Sequence, residues 1–304
     1  MLTARLDQKR TLEIPEEVPR KVSTPSVEQA VKIGVLKLGN IGVSPLLDLI
    51  LDERADRGDI DIRVVGSGPK LTPEQTQEAT QKLIELKPKL VIVSSPNATL
   101  PGPAKAREML GEAKIPTISM SDAPGRKATK DIEEKGQGYI IMLGDPLIGA
   151  RREFLDCVEM ALFNSDAIRM LAITGALRLI MREVDNSIQQ IKEGKSPQLP
   201  KLVVDGKTVV NSAEFKNPYA RARAIAAYEM TGKVAELNTQ ACFILKEPQE
   251  YIQMATAAHE MMRQAAVLAE SAREMEKCGD SVYRQPHKRD GALVSKKSLM
   301  DKPQ

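Results

Sequence analysis

Four short loops hold most of the residues in this chain whose types and spacing could support chemistry. Each loop follows an apolar run and combines small residues with one or two polar groups. Small residues let a flat ligand approach the backbone, and polar groups can orient it, so the pattern predicts a binding cleft. The candidate binding residues are Lys37, Gly39, Asn40, Ile41, Gly42, Ser67, Ser95, Pro96, Asn97, Asp122, Ala123 and Pro124.

The first of these loops carries only part of a dinucleotide-binding motif. The pattern G-x-G-x-x-G would need glycine at position 37, where the chain has lysine. The second apolar run ends Val65-Gly66-Ser67, without the acidic residue that holds a ribose hydroxyl. A nicotinamide site is therefore not expected. An anion bound at the helix N-terminus behind Gly42, with Lys37 adding charge, and a purely structural turn both remain open.

Composition excludes several other classes of protein. The 44 basic and 41 acidic groups nearly balance, and aromatic residues make up only 3%, which argues against nucleic-acid binding. Two histidines and three widely spaced cysteines do not form a metal-binding pattern, so no metal site is expected. The chain has neither an apolar run that could span a bilayer nor a signal-peptide core, which predicts a cytoplasmic protein without a membrane partner.

The elements that must position the four loops alternate between strand and helix. The predicted strands are 31–38, 61–66, 89–94, 115–119 and 138–142, and the predicted helices between them are 43–57, 73–87, 103–113 and 126–136. This alternation is typical of an α/β fold with a doubly wound, mostly parallel sheet of five or six strands. Right-handed crossovers would place the strand carboxyl ends, and so the loops, at one edge.

The second half of the chain has mainly helical periodicity, which predicts an added helical bundle. The helical segments are 147–192, 217–231 and 251–277. Asp205-Gly206 suits a tight turn, so a small β-hairpin is predicted near 202–210. The predicted organisation is a polar N-terminal extension (1–30), an α/β cofactor-binding domain (31–145), a helical bundle with the hairpin (146–279) and an extended basic C-terminal tail (280–304).

Several longer stretches carry a more specific pattern than any single loop. In colinear order they are GNIG (39–42), LLDLILDERADR (46–57), RVVG (63–66), PGPAKAREML (101–110), SDAPG (121–125), GARREFLD (149–156), NPYA (217–220), AHEMMRQAA (258–266) and the tail around Pro286-His287. Through these stretches the chain resembles the coenzyme F420-dependent methylenetetrahydromethanopterin dehydrogenases of methanogenic and related archaea.

The resemblance implies a fold, an assembly and a reaction. It implies a sheet domain with a helical bundle, assembled as a homohexamer that is a trimer of dimers. It implies that coenzyme F420, a deazaflavin, binds at the carboxyl edge of the sheet beside the pterin substrate. Methylene-tetrahydromethanopterin, oxidised F420 and a proton would then give methenyl-tetrahydromethanopterin and reduced F420, reversibly, as a one-carbon step of methanogenesis.

The chain departs from the family pattern at a few positions. The family has cysteine where this chain has Leu38, the third strand ends differently around Ser94 and Ser95, and the leader of about thirty residues is extra. These departures bear on the details of the pocket and on which pterin is used. Two alternatives stay open: a related one-carbon dehydrogenase that uses a folate or another cofactor, and a non-catalytic homologue that binds pterin or deazaflavin.

Hydride transfer of this kind needs no catalytic side chain, because the two nitrogens beside the methylene carbon expel the hydride. The protein holds two flat rings at about 3–3.5 Å. The candidate substrate-binding residues are Arg151, Arg152, His259, Met262, Arg263 and His287. For the two arginines, surface salt bridges are an equal alternative. The alternatives for the others are a packing histidine at 259, a core methionine at 262 and a solvated tail at 287.

Overall fold

The structure is a computed structural model that describes residues 30–51, 57–146 and 149–304. The N-terminal extension predicted for residues 1–30 lies outside the described residues, apart from Ala30. The same holds for residues 52–56, near the end of the helix predicted at 43–57.

Six strands form one sheet in the described part of the chain. They are β1 (Val31–Lys37), β2 (Ile60–Gly66), β3 (Leu90–Ser95), β4 (Thr117–Asp122), β5 (Gly138–Met142) and β6 (Lys201–Val204). Their order is β2-β1-β3-β4-β5-β6, and each neighbouring pair is parallel. The prediction of a doubly wound parallel sheet is confirmed. β3, β4 and β5 are buried along their whole length, as expected where helices cover both faces.

Helices cover the two faces of this sheet. They are α1 (Val43–Leu51), α2 (Pro73–Glu85), α3 (Pro101–Glu112), a 3-10 turn (Ala123–Ala128) leading into α4 (Thr129–Glu134), α5 (Cys157–Thr174), α6 (Ala176–Lys192), α7 (Gly206–Ala213), α8 (Pro218–Thr239), a π-helical turn (Gln240–Ile244) and α9 (Pro248–Cys278). Leu36 and Leu83 belong to the cluster that packs α2 and α3 on one face. The other face forms one hydrophobic cluster with the bundle, from Ile33 to Leu171 and Ala265. The sheet and the bundle therefore share a core.

The stretch with helical periodicity from 147 to 192 contains two helices rather than one. α5 ends and α6 begins at Gly175, which has a φ of +117°. A Cβ at this position would lie 2.4 Å from the carbonyl oxygen of Val209, so α7 could not pack against the break if another residue were present.

The β-hairpin predicted near residues 202–210 is wrong. β6 ends at Val204 and pairs in parallel with β5, and the chain then enters α7 at Gly206. The Asp205 carboxylate accepts a hydrogen bond from Thr208 N at 2.8 Å. Asp205 therefore caps a helix, which is the other common use of an aspartate before glycine in a loop.

The prediction of an extended C-terminal tail is also wrong. The segment after α9 folds back on the bundle, where Val282 and Val294 are buried. An antiparallel bridge between Arg284 and Lys296 closes the segment on itself. The apolar residues spaced between the basic ones thus attach this segment to the core.

Candidate active site

The carboxyl ends of the parallel strands bring the four predicted loops to one edge of the sheet. The strand order reverses between β1 and β3, so the chain leaves these two strands in opposite directions. Leu38 N donates to Ser94 O at 2.8 Å, and Gly39 N donates to Gly68 O at 3.1 Å, which holds the first three loops together. Open α/β sheets bind ligands at such a switch point.

The predicted binding residues at this edge differ in accessibility. Asn40, Ala123 and Pro124 are exposed; Lys37, Gly39, Ser67, Pro96 and Asn97 are half-buried; and Ile41, Gly42, Ser95 and Asp122 are buried. The exposed and half-buried residues form the surface that a ligand can reach. The buried ones support that surface from below.

Two of the polar groups at the edge already have partners within the chain. Asn97 Oδ1 accepts a hydrogen bond from Thr99 N at 3.0 Å, which shapes the loop after β3. Lys37 Nζ forms an ion pair with the Asp48 carboxylate of α1. The charge of Lys37 is therefore partly neutralised before any ligand binds.

The N-terminus of α1 is occupied by Asp145, which follows β5. Gly42 N donates to Asp145 Oδ1 and Val43 N donates to Asp145 Oδ2, both at 2.9 Å. A Cβ on residue 42 would lie 2.6 Å from Asp145 Oδ1, so the glycine allows this close approach. The expectation that an external anion could bind behind Gly42 is corrected, since the chain's own carboxylate takes these amides.

A second buried carboxyl, Asp122 at the end of β4, faces Asp145. Burial and the neighbouring Asp145 hold the pKa of Asp122 well above its usual range. Burial also raises the pKa of Asp145 to about 7, although the amides of Val43 and Gly42 oppose this shift. The pKa values of the two residues, called the carboxyl pair below, are therefore both raised, and that of Asp122 is raised by the neighbouring Asp145 as well as by burial. Asp122 makes no side-chain capping bond to the described turn that follows it.

Further polar atoms lie unsatisfied beneath the cleft. Ser94 Oγ is buried and has no hydrogen-bond partner among the described residues. Ser94 pairs in register with Met120, two residues before Asp122, so Ser94 and Asp122 point to the same face of the sheet. Buried polar groups without partners are uncommon and mark sites where a ligand or water completes the bonding.

His259 of α9 lies behind the first loop rather than in it. Its ring packs against Phe154 and Phe163, with ring centroids 4.7 and 4.4 Å away, and Nδ1 is 3.4 Å from the Glu159 carboxylate. Burial lowers the pKa of His259, and Glu159 offsets this only in part. Phe163 also lines a small cavity with Asn40, so one side chain separates His259 from the loop.

Arg151 and Arg152 precede α5 and have different surroundings. The Arg151 guanidinium lies 3.7 Å from the centroid of the Tyr251 ring, and its Nη2 donates to Leu245 O at 3.4 Å. This cation–π contact fixes its orientation. Arg152 is exposed. Of the two, Arg152 presents its charge to solvent.

The two candidates on α9 after His259 point in different directions. A substrate contact of Met262 stays a prediction, and its side chain is completely buried in the main hydrophobic cluster. The reason is its position on the face of α9 that packs the bundle core. Arg263 is exposed, and its charge opposes the rise that burial causes in the pKa of Asp166.

His287 lies at the opposite, amino edge of the sheet, so it does not join the other candidates within the chain. Its Nε2 is 2.6 Å from Asp185 Oδ2 and 3.2 Å from Arg57 Nη1. Arg57 also bonds to Asp59, the residue that precedes β2, and Lys192 is 3.4 Å from the same carboxylate. These five residues are called the amino-edge cluster below. The tail carries His287 there because it folds back on the bundle.

Sequence reasoning identified the loops but missed Asp145. The available signal was an acidic residue directly after a buried strand, in Gly144-Asp145-Pro146. Among the residues that the structure describes, no three His, Cys, Asp or Glu side chains are grouped so that they could hold a metal ion. Within those same ranges, no helix has the length and hydropathy to cross a bilayer.

The fold and the site together define a doubly wound α/β protein whose loops converge at the carboxyl edge of its sheet, the edge at which open α/β sheets bind ligands. A family model described as methylene-5,6,7,8-tetrahydromethanopterin dehydrogenase matches residues 31–304. The chain belongs to this family.

Relatives and a solved structure agree with this assignment. The chain is 52% identical over 275 residues to the F420-dependent methylenetetrahydromethanopterin dehydrogenase of Methanocaldococcus jannaschii, covering 90% of this chain and 99% of that protein. It is 53% identical over 274 residues to the enzyme of the same name from Archaeoglobus fulgidus, with the same coverage. A solved F420-dependent methylene-tetrahydromethanopterin dehydrogenase, in complex with methylene-tetrahydromethanopterin and coenzyme F420, has a TM-score of 0.88 and 42% identity, covering 90% of this chain and 100% of that chain.

Proposed function

We propose that this chain catalyses reversible hydride transfer between N5,N10-methylenetetrahydromethanopterin and coenzyme F420. The products are methenyl-tetrahydromethanopterin and reduced F420. The observation that carries the proposal is the match to the dehydrogenase family along residues 31–304. The incomplete nicotinamide motif at Lys37 agrees with an acceptor other than a nicotinamide.

The cleft at the carboxyl edge suits a flat ring system. Small side chains and glycines keep the loop backbones accessible, and the buried Ser94 Oγ and the carboxyl pair leave polar groups beneath. Bound F420 would supply the acceptor for the hydride. The residues proposed to hold it are Lys37, Gly39, Asn40, Ile41, Gly42, Ser67, Ser95, Pro96, Asn97, Asp122, Ala123 and Pro124.

The chain's own residues act mainly by orientation. Because the nitrogens beside the methylene carbon expel the hydride, no side chain has to remove a proton from carbon. The loop backbones after β1, β3 and β4 would hold the two rings at contact distance. Hydride transfer then takes place between two ligands already in a reactive geometry and does not depend on their encounter in solution.

We place the pterin on the bundle side of the cleft. Arg152 and Arg263 offer exposed positive charge for an anionic part of the ligands. Arg151 offers a guanidinium already held by Tyr251. His259 and Phe163 would form the wall behind the first loop, with His259 neutral because burial lowers its pKa.

The same family membership leads us to propose a homohexamer arranged as a trimer of dimers. Exposed apolar side chains support a subunit interface, among them Val158 and Leu162 of α5 and Phe243 and Ile244 after α8. A cytoplasmic location remains a prediction from the sequence. Sedimentation of the purified chain would measure the assembly, and a monomer at micromolar concentration would contradict this part of the proposal.

An anaerobic absorbance assay tests the reaction itself. Oxidised F420 should lose its visible absorbance when the enzyme and methylene-tetrahydromethanopterin are present, and should keep it when either is omitted. The same assay with NAD or NADP, or with methylene-tetrahydrofolate, should show no transfer. Binding of both ligands without a loss of absorbance would favour the non-catalytic homologue, and turnover with the folate would favour the related dehydrogenase.

A further inference from the structure

The first loop is fixed by residues far from it in sequence. Asp145 receives the amides of Gly42 and Val43 with both of its oxygens, across 103 and 102 residues of chain. The carboxylate therefore ties the start of α1 to the end of β5. Hydrogen bonds to an ionised acceptor are about twice as strong as neutral ones, and burial strengthens them further.

The charge on Asp145 depends on what faces it. Asp145 is 1% exposed and Asp122 is 5% exposed, so bulk solvent does not screen the two carboxyls from each other. Two like charges in contact in a buried site cannot both persist, and one carboxyl keeps a proton. Asp145 is the better anion because two amides donate to it, whereas Asp122 Oδ1 has no donor partner among the described N–H and O–H groups.

Within the described part of the chain, Tyr228 is the other titratable group that interacts with the pair. Tyr228 of α8 interacts electrostatically with Asp145, and its hydroxyl donates to Val204 O at 2.9 Å while accepting from Gly144 N at 3.0 Å. Burial raises the pKa of Tyr228, so the phenol stays neutral through the range in which the carboxyls titrate. The balance of charge under the first loop is therefore set by the carboxyl pair.

We propose that Asp145 is a positioning residue for the first loop, and that Asp122 supports it as the neutral partner that donates the shared proton. The inference rests on the proposed function, because it takes the first loop to be part of the F420 site. Asp145 acts in this way without touching the cofactor. Loss of the Asp145 charge would free the amides of Gly42 and Val43 and let Asn40 and Ile41 shift.

The proposal makes the affinity for F420 depend on pH in a defined direction. The loop is held best where the pair carries one proton. As the pH falls through the pKa of Asp145, near 7, the acceptor for the two amides loses its charge and the KM for F420 rises. As the pH rises far enough to ionise Asp122 as well, the carboxylates repel each other and the KM rises again.

The test compares three variants of the full-length enzyme with the wild type. Asp145→Asn should raise the KM and the Kd for F420 about tenfold, the effect of losing roughly one charged hydrogen bond, and should lower kcat by less than about threefold. Asp122→Asn keeps an N–H donor toward Asp145 but has no carboxyl group that could ionise. Because Asp122 is also among the residues proposed to hold F420, the readout is the shape of the pH profile: the KM of this variant should not rise on the alkaline side of its own neutral-pH value.

Asp205→Asn is the matched control, because Asp205 caps α7 at the same edge of the sheet without touching the first loop. Asparagine caps helices as well as aspartate does, so this variant should keep the wild-type KM and pH profile. An unchanged Kd for F420 in a folded Asp145→Asn variant would overturn the proposal. If Asp145→Asn does not fold, the proposal is overturned instead when the KM for F420 of Asp122→Asn still rises at alkaline pH.

Measuring the Kd for F420 without pterin separates this inference from the proposed function. A wild type that binds F420 but transfers no hydride would contradict the function, and the Kd comparison would still decide the role of Asp145. Thermal melting of each variant shows whether a change in Kd accompanies a folded protein.

Discussion

The amino and carboxyl edges of the sheet differ in how their buried charged groups are paired. At the amino edge, the Arg57 guanidinium lies between two carboxylates: Nε is 2.9 Å from Asp59 and Nη1 is 3.1 Å from Asp185. His287 and Lys192 complete this cluster. Positive and negative groups alternate, so each buried charge has an opposite charge beside it, and removing one partner would leave a buried charge less well compensated.

At the carboxyl edge, the buried polar groups are not paired with groups of opposite charge in this way. Asp122 and Asp145 face each other, and Ser94 Oγ is buried without a partner among the described residues. Such an arrangement costs stability, and local violations of the rules of good packing tend to occur at functional sites. The comparison therefore indicates that the amino edge holds the fold together and that the carboxyl edge is kept for ligands.

The largest effect is expected from breaking the amino-edge cluster. Arg57→Met should destabilise the chain by about 3–5 kcal/mol, because it removes the buried guanidinium that pairs with both carboxylates and leaves Asp59 with Lys192 and Asp185 with His287. The side chain of Arg57 is only 3% exposed, so solvent screening does not reduce this effect. Urea unfolding measures it.

Lys82→Met serves as the control for that experiment. Lys82 pairs with Glu78 on the exposed side of α2, where its loss should have no measurable effect. An Arg57→Met variant as stable as Lys82→Met would show that the amino-edge cluster does not hold the fold.

Substitution of two glycines, one at each edge, should have an effect on stability of intermediate size. A Cβ on Gly291 would lie 2.0 Å from Asp59 Oδ2 at the amino edge, where φ is +83°, and a Cβ on Gly42 would lie 2.6 Å from Asp145 Oδ1 at the carboxyl edge. Each alanine substitution should cost about 1–3 kcal/mol of stability through overpacking. Only Gly42→Ala should also raise the KM for F420.

Steady-state kinetics of the two glycine variants measure the KM for F420, and thermal melting measures their stability. The comparison of the edges fails if Gly291→Ala raises the KM for F420 as much as Gly42→Ala does.

The smallest effect is expected in the pH dependence of stability. Burial holds the pKa of Asp122 well above its unfolded value, so the folded chain keeps a proton that the unfolded chain releases above about pH 4. This group therefore lowers stability as the pH rises. Asp122→Asn removes the effect, so its Tm should exceed that of the wild type by a margin that grows by a few degrees between about pH 5 and about pH 8. A constant margin would contradict the protonated state assigned to Asp122.

The sheet could be predicted from the sequence because its central strands are short, continuous apolar runs such as LVIVSS in β3, bounded by loop residues. β6 could not, because KLVV followed by Asp-Gly has the same local pattern in a hairpin and in a parallel strand with a capped helix. Pairing with β5, about sixty residues earlier, decides between the two.

The sequence predicts the site only as far as it predicts where the strands end. Asp122 follows a recognisable strand, and a parallel sheet brings strand ends to one edge. The role of Asp145 depends on contacts with Gly42 and Val43 that no local pattern specifies. The position of His287 at the amino edge could not be predicted for the same reason, since its partner Asp185 lies 102 residues away.

Hydrogen exchange with and without ligands tests most directly whether the carboxyl edge is the catalytic edge. Saturating F420 and methylene-tetrahydromethanopterin should slow exchange of amides in residues 38–43 and 95–99, which lie in the loops after β1 and β3. Residues 284–293, at the amino edge, should be unaffected. Protection of 284–293 without protection of the two loops would contradict the account.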